Sequence, residues 1–290
     1  MTADFRHRID AFGRELTPDL LGGTSMMMAG LFEGMDPQTI EEEDFLYGPD
    51  PRHRLDLYRQ QNLENAPVFV FVHGGGFIMG DKRNPPGPFY RNVGDFAARH
   101  GWIGVVPTYP LAPEHPWPAA PDDCAAAARW LVEEAGAERL LIGGASSGAT
   151  LAMTTLLRLR DRDLVGRVLG AVLQFGAYDL SGQTPGGRLY ADEWFIQAYA
   201  GHVPDRTDPD VSPLFADLRG LPPTLLLVGT LDVLLEDNLA MAARLAAAGN
   251  DVELRVFPES MHGFTSHPVT MATLALDGAA KWLASRLDGP

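Results

Sequence analysis

From about residue 53 onward the chain alternates two kinds of segment, and that rhythm leaves few folds open. Short continuous apolar runs occur at 67–73 (PVFVFVH), 103–109 (IGVVPTY), 139–144 (RLLIGG), 171–175 (AVLQF), 224–229 (TLLLVG) and 252–257 (VELRVF). Runs of this length that are apolar throughout, rather than at every second residue, suit strands buried on both faces of a mostly parallel sheet. Helix-like segments separate them: 89–100, 122–135 after Pro121 and closed by Gly136, 147–160, 236–248 stopped by Gly249 and Asn250, and 269–287. Proline at a helix start and glycine just past its end are the expected boundary residues. The alternation predicts an α/β fold with a doubly wound central sheet flanked by helices.

Two segments fall outside the rhythm. Residues 1–45 lean helical, with an apolar cluster of Met26, Met27, Met28, Leu31 and Phe32 ahead of an acidic run at 41–44. Residues 181–212 are turn-rich around Tyr190, Trp194, Phe195 and Tyr199. Both are candidates for a cap over one end of the sheet. The methionine cluster reads equally as an ordinary packed helix, since Met fills core gaps.

Charge and cysteine usage narrow the partners. The 290 residues carry 38 Asp and Glu against 23 Lys and Arg, a net charge of −15. Such a surface does not neutralise phosphates, which excludes nucleic acid and anionic membrane surfaces as partners. The single cysteine, Cys124, forms neither an internal disulfide nor a Cys-rich zinc site, and no paired His or Cys spacing suggests a metal. Residues 1–13 contain no apolar run of the signal-peptide type, and no stretch is long enough for a membrane helix. The expectation is a cytoplasmic protein without cofactor or metal.

The chemistry centres on Gly144-Ala145-Ser146-Ser147-Gly148, a G-x-S-x-G pattern that follows the run RLLIGG and precedes a helix-like segment. A nucleophile elbow needs this setting: a serine on a sharp strand-to-helix turn, with glycines leaving room for it. A second element, His73-Gly74-Gly75-Gly76, follows PVFVFV. Glycines there let backbone N–H groups face a ligand closely, and with the N–H of Ser147 they would receive the oxyanion of an acyl-transfer intermediate. No Gly-Lys-Ser/Thr ending supports a phosphate loop instead. His73 precedes the nucleophile in the chain and is expected to be structural. A base is sought downstream, where His202, His262 and His267 are the only histidines. His262 follows the run VELRVF, at the sheet edge where such folds present catalytic groups; His202 and His267 read as solvated loop residues. Asp232, after TLLLVG, supplies the acid in the order Ser146, Asp232, His262, with Asp179 after AVLQF as its competitor. Glu236 and Asp237 suit the N-terminus of the next helix.

Taken together, HGGGF at 73–77, GASSG at 144–148, YPLAPEHPWPAAPDD at 109–123, Thr230-Leu231-Asp232 and Met261-His262-Gly263-Phe264 resemble the bacterial hormone-sensitive-lipase-like carboxylesterases of the α/β-hydrolase fold. The matches run in order from about residue 50 to the C-terminus. The resemblance implies Ser146 as nucleophile, His262 as base, Asp232 as acid, and the N–H groups of Gly75, Gly76 and Ser147 as oxyanion hole. It also implies an N-terminal cap, here 1–45, ahead of a catalytic domain of 46–290 to which 181–212 adds a cap-contributing insertion, and it allows a homodimer. Three departures stand out. Ala145 replaces an acidic residue, Ser147-Gly148-Ala149 replaces Ala-Gly-Gly, and Pro110 replaces an arginine, which points to altered hydrogen bonding behind the site.

The expected activity is hydrolysis of a small-molecule carboxylic ester through an acyl-enzyme. Met27, Met28, Phe32, Trp194 and Phe195 would form an apolar pocket for short to medium acyl chains. An amidase such as an aryl-formamidase on the same residues is the alternative, and a non-catalytic ligand-binding relative is a third reading, since fold does not fix function. A dienelactone-type hydrolase would want cysteine at the elbow, whereas Cys124 reads as a small buried apolar residue.

Overall fold

The six apolar runs become six of the eight strands that the described residues form in one sheet. The computed structural model describes residues 41–60, 63, 65–83, 90–267 and 269–287. Strands β1 (Glu41–Leu46), β2 (Arg54–Arg59), β3 (Val68–Val72), β4 (Ile103–Pro107), β5 (Leu140–Ala145), β6 (Val168–Gln174), β7 (Thr224–Gly229) and β8 (Val252–Phe257) lie in the order β1-β2-β4-β3-β5-β6-β7-β8. The pairs β1–β2 and β2–β4 are antiparallel; every other neighbouring pair is parallel. Helices α1 (Arg91–Arg99), α2 (Ala119–Glu133), α3 (Ser147–Arg160), α4 (Trp194–Ala200), α5 (Leu235–Ala247) and α6 (Thr270–Leu287) connect or follow the strands.

Strand period explains the two cores. Val68, Val70 and Val72 of β3, Leu140 and Ile142 of β5 and Leu226 of β7 join Leu151, Leu156 and Leu245 on one face. Phe69, Phe71, Leu141, Leu225 and Leu227 point the other way, against Ala97 of α1 and Ala275, Trp282 and Leu283 of α6. Successive residues of a strand serve opposite faces, so a continuously apolar strand is what a sheet covered on both sides demands. Cys124 is buried in the first core as a free thiol, and burial pushes its pKa up, so it stays protonated and inert.

Residues 41–45 do not continue a helical N-terminal segment. They enter β1, an edge strand whose residues Asp44 and Phe45 stand opposite Asp56 and Leu55 of β2. Two acids of the run serve this pairing, Glu43 bound to Arg59 at 2.8 Å and Asp44 to Arg54 at 2.5 Å on β2. Asp44 binds Lys82 at 2.8 Å, and the fully buried Asp56 takes Lys82 and both the Nε (2.6 Å) and a terminal nitrogen (3.0 Å) of Arg83. The sheet therefore begins by residue 41. Met26, Met27, Met28, Leu31, Phe32 and the rest of the expected cap lie outside the described residues.

The insertion at 181–212 is fastened to the body. Tyr199 stacks on Phe77 with centroids 3.9 Å apart and accepts the Trp117 N–H on its backbone oxygen at 2.9 Å. Asp210 accepts Trp117 Nε1 at 2.9 Å and two Arg158 nitrogens at 2.7 Å each. Asp237, expected only to serve the start of α5, instead turns its Oδ2 toward the insertion. That oxygen accepts the Tyr190 hydroxyl at 2.6 Å and the N–H groups of Tyr178 and Asp179. Burial outweighs these donors and raises the Asp237 carboxyl to about 6, against 3.8 for an exposed aspartate. A raised carboxyl pKa favours the folded state most where the group is protonated, so this contribution is full below about pH 4 and lost as pH rises through about 6. Asp237→Asn should flatten the stability profile between those values; urea midpoints measured across that window check it, and an unchanged slope would refute the assignment.

Candidate active site

Strand β5 ends in a turn that its sequence forces. Ser146 has φ 56° and ψ −126°, a region that costs a non-glycine residue energy and persists only where neighbours over-determine it. They do. A Cβ on Gly144 would come within 2.2 Å of the Gly148 oxygen, and one on Gly148 within 2.2 Å of the Val72 oxygen. Both flanking glycines are therefore required by backbone that passes at contact distance. Helix α3 starts at Ser147, so Ser146 stands at the junction.

The glycine loop after β3 runs against this turn. A Cβ on Gly74 would lie 2.6 Å from the Ala145 oxygen and 3.3 Å from the Ser146 Cβ. Gly75 (φ 128°) and Gly76 (φ 60°) take conformations that side chains rarely adopt, bending the chain out of the strand beside Ser146. The loop is held from behind. Gly74 N–H donates to the Tyr90 hydroxyl at 2.9 Å, and the Tyr109 hydroxyl donates to the His73 oxygen at 3.0 Å. The His73 ring is buried, stacks on Tyr109 at 4.2 Å, and has its pKa lowered to about 4 by burial. It is a neutral structural ring, as its position in the chain suggested. Arg52 donates to the Tyr109 oxygen at 3.0 Å and to the Gly80 oxygen at 3.3 Å, so a guanidinium reaches this loop although Pro110 provides none.

Two loops at the same sheet edge complete the constellation. His262 Nε2 lies 2.9 Å from Ser146 Oγ, while Nδ1 lies 3.1 Å from each oxygen of Asp232. Asp232 is buried and also accepts the Leu234 N–H at 2.9 Å, which fixes the carboxylate in its loop. Phe175 meets the imidazole edge to face at 5.1 Å. An imidazole between a hydroxyl and a buried carboxylate can take the hydroxyl proton as the oxygen attacks, and the carboxylate then faces the cation.

The competing residues are placed elsewhere. Asp179 spends its carboxylate on Ser181 and Thr184, whose N–H and hydroxyl groups donate to it at 2.5–3.0 Å. His202 is exposed and bonds the Trp117 oxygen at 3.0 Å. His267, expected to be solvated, is buried instead, and burial together with the nearby His262 lowers its pKa to about 4. Of the expected pocket residues, Phe195 is buried, and a Cβ on Gly76 would lie 3.1 Å from its ring. Trp194 is 48% exposed and meets Phe195 edge to face. Met27, Met28 and Phe32 lie outside the described residues. Tyr90, Arg52, Gln174 and Thr265 support the site without having been singled out in the sequence. Only Gln174 left a signal there, a lone polar residue near the end of an apolar strand.

No cluster of three or more His, Cys, Asp or Glu residues is arranged for a metal ion among the described residues, and none of their helices is long and apolar enough to cross a membrane.

Comparison with known proteins finds relatives along most of the chain. A family model described as the alpha/beta hydrolase fold matches residues 69–266. A carboxylic ester hydrolase, LipN, of Mycobacterium tuberculosis is 33% identical over 276 residues, covering 87% of this chain and 72% of that protein. An ethyl acetate hydrolase of Pseudomonas putida is 32% identical, covering 72% and 70%. Among solved structures, a hormone-sensitive lipase from a metagenome library superposes with a TM-score of 0.79 at 29% identity, covering 98% of each chain.

Proposed function

The chain belongs to the hormone-sensitive-lipase-like esterases of the α/β-hydrolase fold family, and from that premise we propose a serine carboxylesterase in which Ser146, His262 and Asp232 hydrolyse short- to medium-chain esters. Hydrolysis of carboxylic esters is the activity its relatives carry in their names. The observation that carries the residue assignment is the line of hydrogen bonds from Ser146 Oγ through the His262 ring to Asp232.

The reaction runs in two halves. Ser146 Oγ attacks the ester carbonyl as its proton passes to His262 Nε2, and Asp232 holds Nδ1–H and balances the imidazolium. Negative charge gathers on the former carbonyl oxygen, which the N–H groups of Gly75, Gly76 and Ser147 receive; one such donor is typically worth ~3 kcal/mol. His262 then protonates the departing alcohol. Water, deprotonated by the same ring, attacks the acyl-enzyme, and the ring passes that proton to Ser146 Oγ as the acid leaves. The acyl group is placed beside Gly76 and the Phe195 ring that rests on it. The segment ahead of β1 is assigned the role of cap, now ending before Glu41 rather than at residue 45.

Phe195 stands close to the oxyanion loop, which favours small acyl groups. In a nitrophenyl ester series, kcat/KM should be greatest for acetyl to butyryl and fall steadily toward decanoyl. A rise toward decanoyl would overturn the short-pocket reading. A formanilide hydrolysed faster than the matching ester would move the enzyme to the amidases.

A further inference from the structure

We propose that Gln174 and Thr265 are a positioning pair that sets the His262 loop against the nucleophile, a tether that a longer acidic side chain at residue 145 could replace. The proposal rests on the triad given above and deepens it.

Gln174 ends β6, and only 6% of its surface is exposed. Its two polar ends reach two parts of the site. The backbone oxygen accepts the Ser146 N–H at 2.9 Å, and the side-chain Oε1 accepts the Thr265 hydroxyl at 2.7 Å. Thr265 is buried three residues after His262, in the 3₁₀ turn Phe264–Ser266 that ends this loop. One residue thus links the peptide of the attacking serine to the segment that carries its base. A buried amide is costly unless it is bonded, so a glutamine at the end of VLGAVLQ needs a partner, and Thr265 is that partner.

The space around this bond supports the same reading. A cavity of about 60 Å³ behind the elbow is lined by Ala145, Gln174, Thr265 and Ser266, with Tyr90 and Asn92 from the α1 side. Tyr90 is the residue whose hydroxyl accepts the Gly74 N–H of the glycine loop. The cavity therefore touches the elbow strand and the base loop together, with Tyr90 at its side. Ala145 contributes only a methyl group to it. A longer acidic side chain at 145 would extend into this space, which Thr265 and Ser266 also line. Gln174 enters it from the neighbouring strand and ties down the same turn.

The expected consequence is kinetic. Misplacing a catalytic group by about 1 Å costs as much as 10²-fold in rate, so a partial loosening of the His262 loop should cost roughly tenfold in kcat. Gln174→Leu and Thr265→Val should each show that loss on nitrophenyl acetate, with KM within about twofold and the double variant no worse than either single one. Thr265→Ser, which keeps the hydroxyl, should retain wild-type kcat, and Ala145→Glu added to Gln174→Leu should recover part of the loss. Wild-type kcat in Gln174→Leu or Thr265→Val overturns the proposal. So does a loss in which kcat and KM change together in step with the melting temperature, because ordinary packing would do that. Failure of Ala145→Glu to recover activity overturns the equivalence of the two tethers. His262→Ala separates this inference from its premise: activity retained there defeats the triad, whereas an inactive His262→Ala beside a fully active Gln174→Leu defeats only the positioning pair.

Discussion

Ser146→Ala should lower kcat on a nitrophenyl ester by a factor on the order of 10⁶, the loss that removal of the nucleophile brings in serine hydrolases, and leave only the modest rate that the glycine loop and binding can supply. The size of the effect follows from the site's construction. His262 Nε2 stands 2.9 Å from the Ser146 hydroxyl, and the turn that aims this oxygen leaves no room for a side chain at either flanking glycine. Alanine keeps that turn and removes only the attacking atom, so the variant should fold normally. Stoichiometric labelling by a fluorophosphonate should vanish with the activity. Retained turnover, or labelling at any other residue, would remove Ser146 from the mechanism, and with it the argument from the elbow.

The fold was legible because its signal is collective. Six strands and five intervening or following helices could be placed from apolar runs and punctuation, and α3 begins and ends where the spacing put it, Ser147–Arg160. Strand β1 was not legible. EEEDFL has no apolar run and alternates only weakly, because an edge strand needs one covered face and gains from charge on the other. The short helix α4 was hidden because its seven residues hold little more than one repeat of the period, the buried Phe195, Ile196, Tyr199 and Ala200, inside a turn-rich insertion.

The candidate site divides the same way. Ser146, Asp232 and His262 follow from motif, chain order and sheet edge, all local signals. What holds them does not. Tyr90 acts on Gly74, Arg52 on Tyr109 and Gly80, and Thr265 on Gln174, which are 16, 57, 28 and 91 residues away. No spacing along the chain encodes such pairs; only the crossovers of the sheet bring them together. The departures at Pro110 and Ala145 were visible as missing groups. The groups that do reach these neighbourhoods, the Arg52 guanidinium and the Gln174 amide, come from other elements.

The acid of the site offers the second large test. Asp232→Asn should lower kcat by a factor of about 10⁴ without unfolding the protein. Both carboxylate oxygens of Asp232 stand 3.1 Å from Nδ1, which keeps the proton on Nδ1 and leaves Nε2 free to accept from Ser146. An asparagine can turn its NH₂ toward the ring. Nδ1 then becomes the acceptor, Nε2 carries the proton, and the imidazole can no longer take one from the serine. The missing negative charge also leaves the imidazolium unbalanced in a buried setting. Asp179→Asn is the informative control, since that carboxylate faces only donors of its own loop, Ser181 and Thr184. It should lower the melting temperature by loosening the start of the insertion, while kcat stays within severalfold of wild type. Near-normal rates in Asp232→Asn together with collapse of kcat in a folded Asp179→Asn would transfer the acid's role to Asp179. The geometry opposes that outcome, because the ring nitrogen that must be held faces Asp232 alone among the two, and a carboxylate with all its acceptor capacity turned to its own loop has nothing left to offer it.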